Sequence, residues 1–183
     1  MGNPTVAEFW RQQNFAYLET YSFNRGPASE ADYERLSQEI AAVRQELQTA
    51  RYMDLAKLRR KLRELEQELE GGKCNILWSA ARLSTDFTAR KIATLASDAG
   101  MIRHLTNMFE KAVEQEGFFM CPPIYRDALV FYNDQAQRVQ VLNICFECQM
   151  MATAYGQLIE ANFDTYDALQ ETLMQLGHPI DYR

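Results

Sequence analysis

The chain has 183 residues, 47% of them hydrophobic, and a net charge of −6 at pH 7. That length and apolar content suit one domain, or a compact domain with an appendage, and argue against a disordered chain. The acidic balance, with six acidic side chains against Arg183 alone over residues 143–183, disfavours binding that depends on neutralising phosphates or anionic lipid headgroups.

The first segment, residues 1–27, opens on Met1-Gly2-Asn3-Pro4-Thr5-Val6. Val6 stands where a myristoylation signal needs Ser or Thr, and no signal peptide is visible. Gly2-Asn3 would suit the position just after a lipid-bearing cysteine. A lipid anchor and an envelope or periplasmic location are expected if the natural chain begins upstream, and a cytoplasmic location otherwise. Thr5 with Glu8 makes a capping-box pattern. Residues 5–21 then read as an amphipathic helix with Val6, Phe9, Trp10, Gln13, Ala16, Tyr17 and Thr20 on one face and Phe15 and Leu18 beside it. Such a helix packs on a domain core, or presents Phe9 and Trp10 to a partner. Asn24-Arg25-Gly26-Pro27 ends it.

Residues 28–72 carry two heptad seams. Leu36, Ile40, Val43, Leu47 and Ala50 form the first, and Leu55, Leu58, Leu62, Leu65 and Leu69 the second. The phase breaks between Thr49 and Asp54. An antiparallel hairpin turning near Arg51-Tyr52-Met53-Asp54 fits, as does one continuous helix about 60 Å long with a stutter. The absence of Gly and Pro at the break favours continuity. Mutual satisfaction of two short seams favours the hairpin, which is the preferred reading. A continuous helix would need a protein partner, most simply a second copy. Arg59-Arg60-Lys61-Leu62-Arg63 is followed by Glu64, Glu66, Glu68 and Glu70, so ion pairs four residues apart explain the basic run better than nucleic acid does.

Residues 73–183 read as an α+β domain. Cys74, Ile76, Trp78 and Ala80 alternate with Asn75, Leu77 and Ser79, as in a strand or a helix start. Ser84-Thr85-Asp86 looks like a cap for a short helix over Phe87, Ala89, Ile92, Ala93, Leu95 and Ala96. Ile102, Leu105, Met108, Phe109, Ala112 and Val113 predict a second helix ending before Gly117, and Phe118-Phe119-Met120 leads onward.

The central feature is a hairpin over residues 125–148. Ala128, Val130 and Tyr132 face one way and Leu129 and Phe131 the other. Val139, Val141, Asn143 and Cys145 alternate with Gln140, Leu142, Ile144 and Phe146. Period two with both faces apolar predicts a central strand pair covered on both sides. Asn133–Gln137 lacks the Asn-Gly signal, so the turn is expected to be longer and bulged. Pairing Tyr132 with Arg138 places Tyr125 opposite Cys145 and Cys121 near Cys148, with Pro122 and Pro123 distorting that end. Further strands over Gln149–Thr153 and Gln157–Glu160 complete an antiparallel meander of three or four strands. Asp164 or Thr165 is expected to cap a closing helix, 164–177, with Leu169, Leu173 and Leu176 inward, stopped by Gly177-His178-Pro179. The reading is α+β with a helical hairpin or coiled-coil appendage.

The stretches FYNDQAQRVQVLNICFEC and FDTYDALQETLMQLGHPI resemble a C-terminal module of uncharacterised bacterial proteins, many of them exported or lipid-anchored. The resemblance covers the last third of the chain and carries no activity. It implies the hairpin and an envelope location.

The cysteines are the sharpest chemical signal. Cys145 and Cys148 form a Cys-x-x-Cys step. Cys121, Cys145 and Cys148 with His104 or His178 would make a four-ligand zinc site. A redox dithiol is opposed by Glu147, whose charge disfavours a thiolate. A structural disulfide between Cys121 and Cys148 and buried free thiols are the other readings. On a regular strand Cys145 and Cys148 would face apart unless a turn at Phe146-Glu147 brings them together. His104 sits at the polar boundary of its helix, and His178 looks like a C-terminal cap. Asp127 has no assignable role, and there is no phosphate loop or metalloprotease motif. No catalytic set emerges. The expected function is a noncatalytic protein–protein interaction module, with a zinc or thiol protein and a small acidic immunity or inhibitor protein as alternatives.

Overall fold

The structure, a computed structural model, describes residues 2–72, 77–79, 82–111 and 121–180. Cys74, Asn75, Ile76 and Ala80, read above as part of a strand or helix start, Ala112 and Val113, read as the end of a helix, and Gly117 with the lead-in Phe118-Phe119-Met120 lie outside the described residues. Among those described, the architecture is α+β and centres on a six-stranded antiparallel sheet.

The N-terminal helix is much shorter than its pattern suggests. Helix α1 spans Val6–Arg11 and has the full capping box, with the Thr5 hydroxyl accepting from the Glu8 amide and the Glu8 carboxylate accepting from the Thr5 amide. After a loop, Tyr17–Ser22 is strand β1. The helical face drawn through Gln13, Ala16, Tyr17 and Thr20 was half polar. The same residues also alternate, with Leu18, Thr20 and Ser22 on one side and Tyr17, Glu19 and Tyr21 on the other. Neighbouring strands on both sides decide between the two patterns, because strand propensity is realised by pairing. Phe9 and Trp10 are core residues, only 4% and 6% exposed, and so are not free to meet a partner.

Helix α2 (Gly26–Thr49) and helix α3 (Tyr52–Gly72) form the expected antiparallel hairpin. Ala50, in an extended conformation, ends α2 and makes the break without Gly or Pro. Leu36, Ile40, Val43, Leu58 and Leu65 are buried against one another, with Leu47, Leu62 and Leu69 partly buried beside them. Arg44 pairs with Glu66 across the two helices at 2.7 Å, and Arg60 lies 3.7 Å from Glu64. At about 1.5–3 kcal/mol per buried aliphatic side chain, the seam is satisfied within one chain. The arm is anchored at its base, where Asp32 pairs with Arg90 and the rings of Tyr33 and Phe87 meet edge to face.

Beyond the hairpin, strands β2 (Trp78–Ser79) and β3 (Arg82–Thr85) pair with each other. The helix expected over Phe87–Ala96 is instead a turn and strand β4 (Arg90–Ala96). Asp86 does not cap a helix. Its carboxylate accepts from the Thr88 amide at 2.8 Å and the Thr88 hydroxyl at 2.6 Å, an Asx-type turn. β4 then pairs with β1, whose free edge outweighs the weak helical spacing. Helix α4 follows over Gly100–Phe109.

The remaining strands are β5 (Asp127–Tyr132), β6 (Arg138–Cys145), β7 (Met150–Thr153) and β8 (Leu158–Ile159). The sheet order is β4-β1-β5-β6-β7-β8. The expected meander of three or four strands is thus four strands, β5 to β8, of a six-stranded sheet completed by two strands read as helix. Tyr132 pairs with Arg138, but Phe131 pairs with Gln140. The skipped residue, Val139, is a bulge that shifts the ladder by one, so Asp127 lies opposite Ile144 and the expected Tyr125–Cys145 pairing does not form. The Asn133 side chain closes the turn by accepting from the amides of Gln135 and Gln137. At the far edge, Thr5 bridges to Glu160, and the amides of Val6 and Glu160 bond across to Glu160 and Pro4. The N-terminal segment so covers the short β8 edge.

Helix α5 spans Phe163–Gln175. Its cap is Asn162, not Asp164 or Thr165, and the Asn162 side-chain Oδ1 accepts from both the amide and the hydroxyl of Thr165. Helices α1, α4 and α5 cover one sheet face through Leu18, Leu129, Phe131, Leu142, Ile144 and Met151. Phe23, Leu77, Tyr125, Val130, Val141 and Cys145 form the core on the other. No described helix is long and apolar enough to cross a membrane.

Candidate functional site

The polar residues that most need explaining lie on the helix-covered face. Thr20 and Asp127 are fully buried and His178 is 4% exposed. His178 Nδ1 lies 2.7 Å from an Asp127 carboxylate oxygen, and His178 Nε2 lies 2.8 Å from the Thr20 hydroxyl. The second Asp127 oxygen accepts from the Arg25 guanidinium, which also donates to the Pro179 carbonyl at 3.0 Å. Because a carboxylate only accepts, His178 Nδ1 carries the hydrogen and donates to Asp127. Four distant segments are joined in one buried chain: mid-β1, the turn after it, the start of β5 and the tail after α5.

The local sequence explains how each residue arrives. Thr20 sits at an inward position of β1, opposite Leu129 of β5. Asp127 begins β5 on the same face. Gly177, at φ 99°, lets α5 end with its amide bonded to Met174 and the His178 amide to Leu173. This is the Schellman closure. The His178 backbone therefore caps the helix as expected, while its side chain turns into the core.

Carboxylate, imidazole and hydroxyl in that order are the parts of a nucleophilic triad. The hydroxyl here belongs to a residue with no exposed surface in the middle of the sheet, so a substrate has no path to it. The arrangement locks the sheet, the hairpin base and the C-terminal tail together.

Arg25 also borders open space. A cleft of about 610 Å³ lies beside the chain, lined by Arg25, Ile124, Arg126, Phe146, Glu147, Asp167, Gln170, Glu171, Pro179 and Ile180. Arg126 pairs with Glu147 at 2.6 Å. The disulfide Cys121–Cys148, with Cα atoms 6.0 Å apart, joins the segment leading to Ile124 to the turn that carries Phe146 and Glu147. Two cleft walls are thus covalently tied. β6 ends at Cys145, and the turn over Phe146–Gln149 carries Cys148 back to the same apolar cluster as Cys145.

The proposed zinc set is not assembled. Cys121 and Cys148 are bonded to each other, and Cys145 is a buried free thiol. His178 is held by Asp127 and Thr20. His104 Nε2 lies 3.2 Å from the Thr172 hydroxyl, tying α4 to α5. No group of three or more His, Cys, Asp and Glu suited to a metal ion occurs among the described residues.

The opposite face carries a second polar group. Glu19 is 8% exposed and accepts from the Tyr21 hydroxyl at 2.7 Å and Lys91 at 2.9 Å. Tyr17 and Tyr132, paired across β1 and β5, stack with centroids 4.8 Å apart. Burial acts to raise the Glu19 pKa, but the Tyr21 hydroxyl, Lys91 and Tyr132 outweigh it and hold the carboxyl below its ordinary value. A lowered folded-state pKa contributes stability above the unfolded value, about 4.3, that is lost as pH falls through the folded value. Urea midpoints measured from neutral pH into acid should therefore fall less steeply in Glu19→Gln than in the parent. Parallel acid limbs would show that Glu19 contributes nothing specific.

Sequence reasoning missed Arg25, Thr20 and the role of Asp127. The available signal was Asp127 itself, an acid at an inward position of an otherwise apolar strand.

Together these features define an antiparallel α+β protein with a closed helical arm and a charge-lined, disulfide-tied cleft. Compared with known proteins, the chain matches no family model, no curated protein and no solved structure.

Proposed function

We propose that the chain is a noncatalytic protein-binding module that meets its partner through the tip of the α2–α3 arm. The observation that carries this is the exposure of Tyr52 and Met53, at 88% and 89%, where the two helices meet. A 24-residue α2 holds that tip about 36 Å from the base. The seam leucines, first read as the interaction surface, are used inside the arm, so the contact falls to the tip and a seam-mediated homodimer loses its motive. An exposed aromatic beside a flexible methionine is the composition of a contact anchor. The burial of Thr20 supports a noncatalytic role. The disulfide favours an oxidising compartment, and with the C-terminal resemblance it supports an exported or envelope-located bacterial protein. An acidic inhibitor protein is a special case of the same reading.

A photo-crosslinking residue at position 53, introduced in the native cell, should trap one discrete partner, and the same residue at position 59 on the arm's flank should not. Tyr52→Ser combined with Met53→Ser should shift stability by no more than about 0.5 kcal/mol and abolish that adduct. Equal adducts from both positions, or none from position 53, would overturn the proposal.

A further inference from the structure

Two charged surfaces of this chain complement each other but cannot meet within one molecule. Residues 51–63, at the outer end of the arm, hold six Lys and Arg against Asp54 alone, in a chain of net charge −6. Lys57 and Lys61 follow Met53 at four-residue steps on α3, so all three share one exposed face. Arg60–Glu64 is the ion pair that forms within this stretch. Neither lysine ammonium has an ion-pair or hydrogen-bond partner among the described residues. The second surface is the cleft beside α5. Its two guanidinium groups are held internally, Arg25 by Asp127 and Arg126 by Glu147. The charge left over is that of Asp167 and Glu171, both exposed and also four residues apart on one helical face. Neither carboxylate has an ion-pair or hydrogen-bond partner among the described residues. Beside them the cleft offers apolar surface from Ile124, which is 39% exposed, and from Phe146.

Resting on the arm-tip reading, we propose that the partner is a second copy of this chain, whose α5 and cleft receive the arm. Like charges four residues apart are unfavourable within either helix alone. Laid together, two ammonium groups and two carboxylates with the same helical spacing pair one to one. Met53, one step further along the lysine stripe, and Tyr52 beside it bring apolar surface for the cleft lining to cover. The cleft volume of about 610 Å³ is in the range that accepts a drug-sized group. Arg25, at the foot of α2, lines the cleft, and the tip stands about 36 Å from that foot. An arm therefore cannot reach its own cleft. The same distance is several Debye lengths at physiological salt, so the acidic body does not cancel the field of its own arm tip.

The test is sedimentation of the purified full chain, with its disulfide intact, at concentrations up to about 100 µM. The parent is expected to sediment above the monomer mass, and its association should weaken as salt rises from about 0.05 to 0.5 M. Lys57→Glu with Lys61→Glu sets acid against acid, and Asp167→Lys with Glu171→Lys sets base against base. Each double variant alone should associate at least about tenfold more weakly than the parent. An equimolar mixture of the two restores opposite charges at every contact and should recover the parent's association, which a folding defect in either variant would not allow. A parent that stays monomeric, variants that associate as the parent does, or a mixture that gains nothing over its components would overturn the proposal. The crosslink in the cell separates this failure from that of the arm-tip reading. Position 53 trapping a different protein keeps the tip as the contact and removes the second copy as its partner, whereas position 53 trapping nothing overturns both.

Discussion

Asp127→Ala is expected to cost roughly 3–5 kcal/mol of folding stability, the range for removing one partner of a buried charge pair. The carboxylate is fully buried and is the acceptor for both the Arg25 guanidinium and His178 Nδ1–H. Its removal leaves the buried His178 ring N–H without its acceptor and takes the carboxylate from Arg25, which keeps the Pro179 carbonyl and its cleft-facing edge. Asp127→Asn keeps the shape but points an amide donor at one of two existing donors, so it should also destabilise, by less. Thr20→Val removes only the neutral end of the chain and should cost about 1–2 kcal/mol. Urea unfolding at constant m-value is the measurement. Asp127 and His178 should also couple in a double-mutant cycle by more than about 0.5 kcal/mol. A loss below about 1 kcal/mol for Asp127→Ala would mean that the buried chain contributes little to folding.

The same residues show what was legible in the sequence and what was not. The α2–α3 arm was readable because two heptad seams with opposed needs are a local pattern with a local solution. The β5–β6 pair was readable because period two on both faces has few alternatives. Strand geometry placed Cys121 near Cys148 without deciding between bridge, zinc and free thiols, and the two meet despite the one-residue shift at the Val139 bulge because cysteines beyond the strand ends tolerate it. β1 and β4 were not readable. Tyr17–Ser22 and Arg90–Ala96 each satisfy a loose helical spacing, and what makes them strands is the distant edge they pair with. The Arg25–Asp127–His178–Thr20 chain was hidden for the same reason. Its members are scattered from position 20 to position 178, and each taken alone reads as a cap, a turn or a solvated charge. The cleft depends on that chain and on α5, so its lining had no one-dimensional trace.

Breaking the Cys121–Cys148 bridge is expected to lower stability by about 3–4 kcal/mol, as loop-closure entropy predicts for the separation of 27 residues between the bonded cysteines. The bridge does more than shorten the unfolded chain, because it pins residues 121–124 to the turn over Phe146–Gln149. Reduction should therefore loosen the walls carrying Ile124, Phe146 and Glu147 first and leave the α1–α4–α5 face ordered until global unfolding. Hydrogen exchange on oxidised and reduced protein would resolve that order, and urea midpoints with and without a phosphine reductant would give the magnitude. Cys121→Ser with Cys148→Ser should match the reduced parent, whereas Cys145→Ser should retain the full difference between oxidised and reduced forms, since that thiol is buried and unbonded. Identical midpoints in both redox states would remove the bridge from the stability argument and, with it, the structural reason to place the chain in an oxidising compartment. A large difference would mean that the cleft keeps its shape only where the bridge survives.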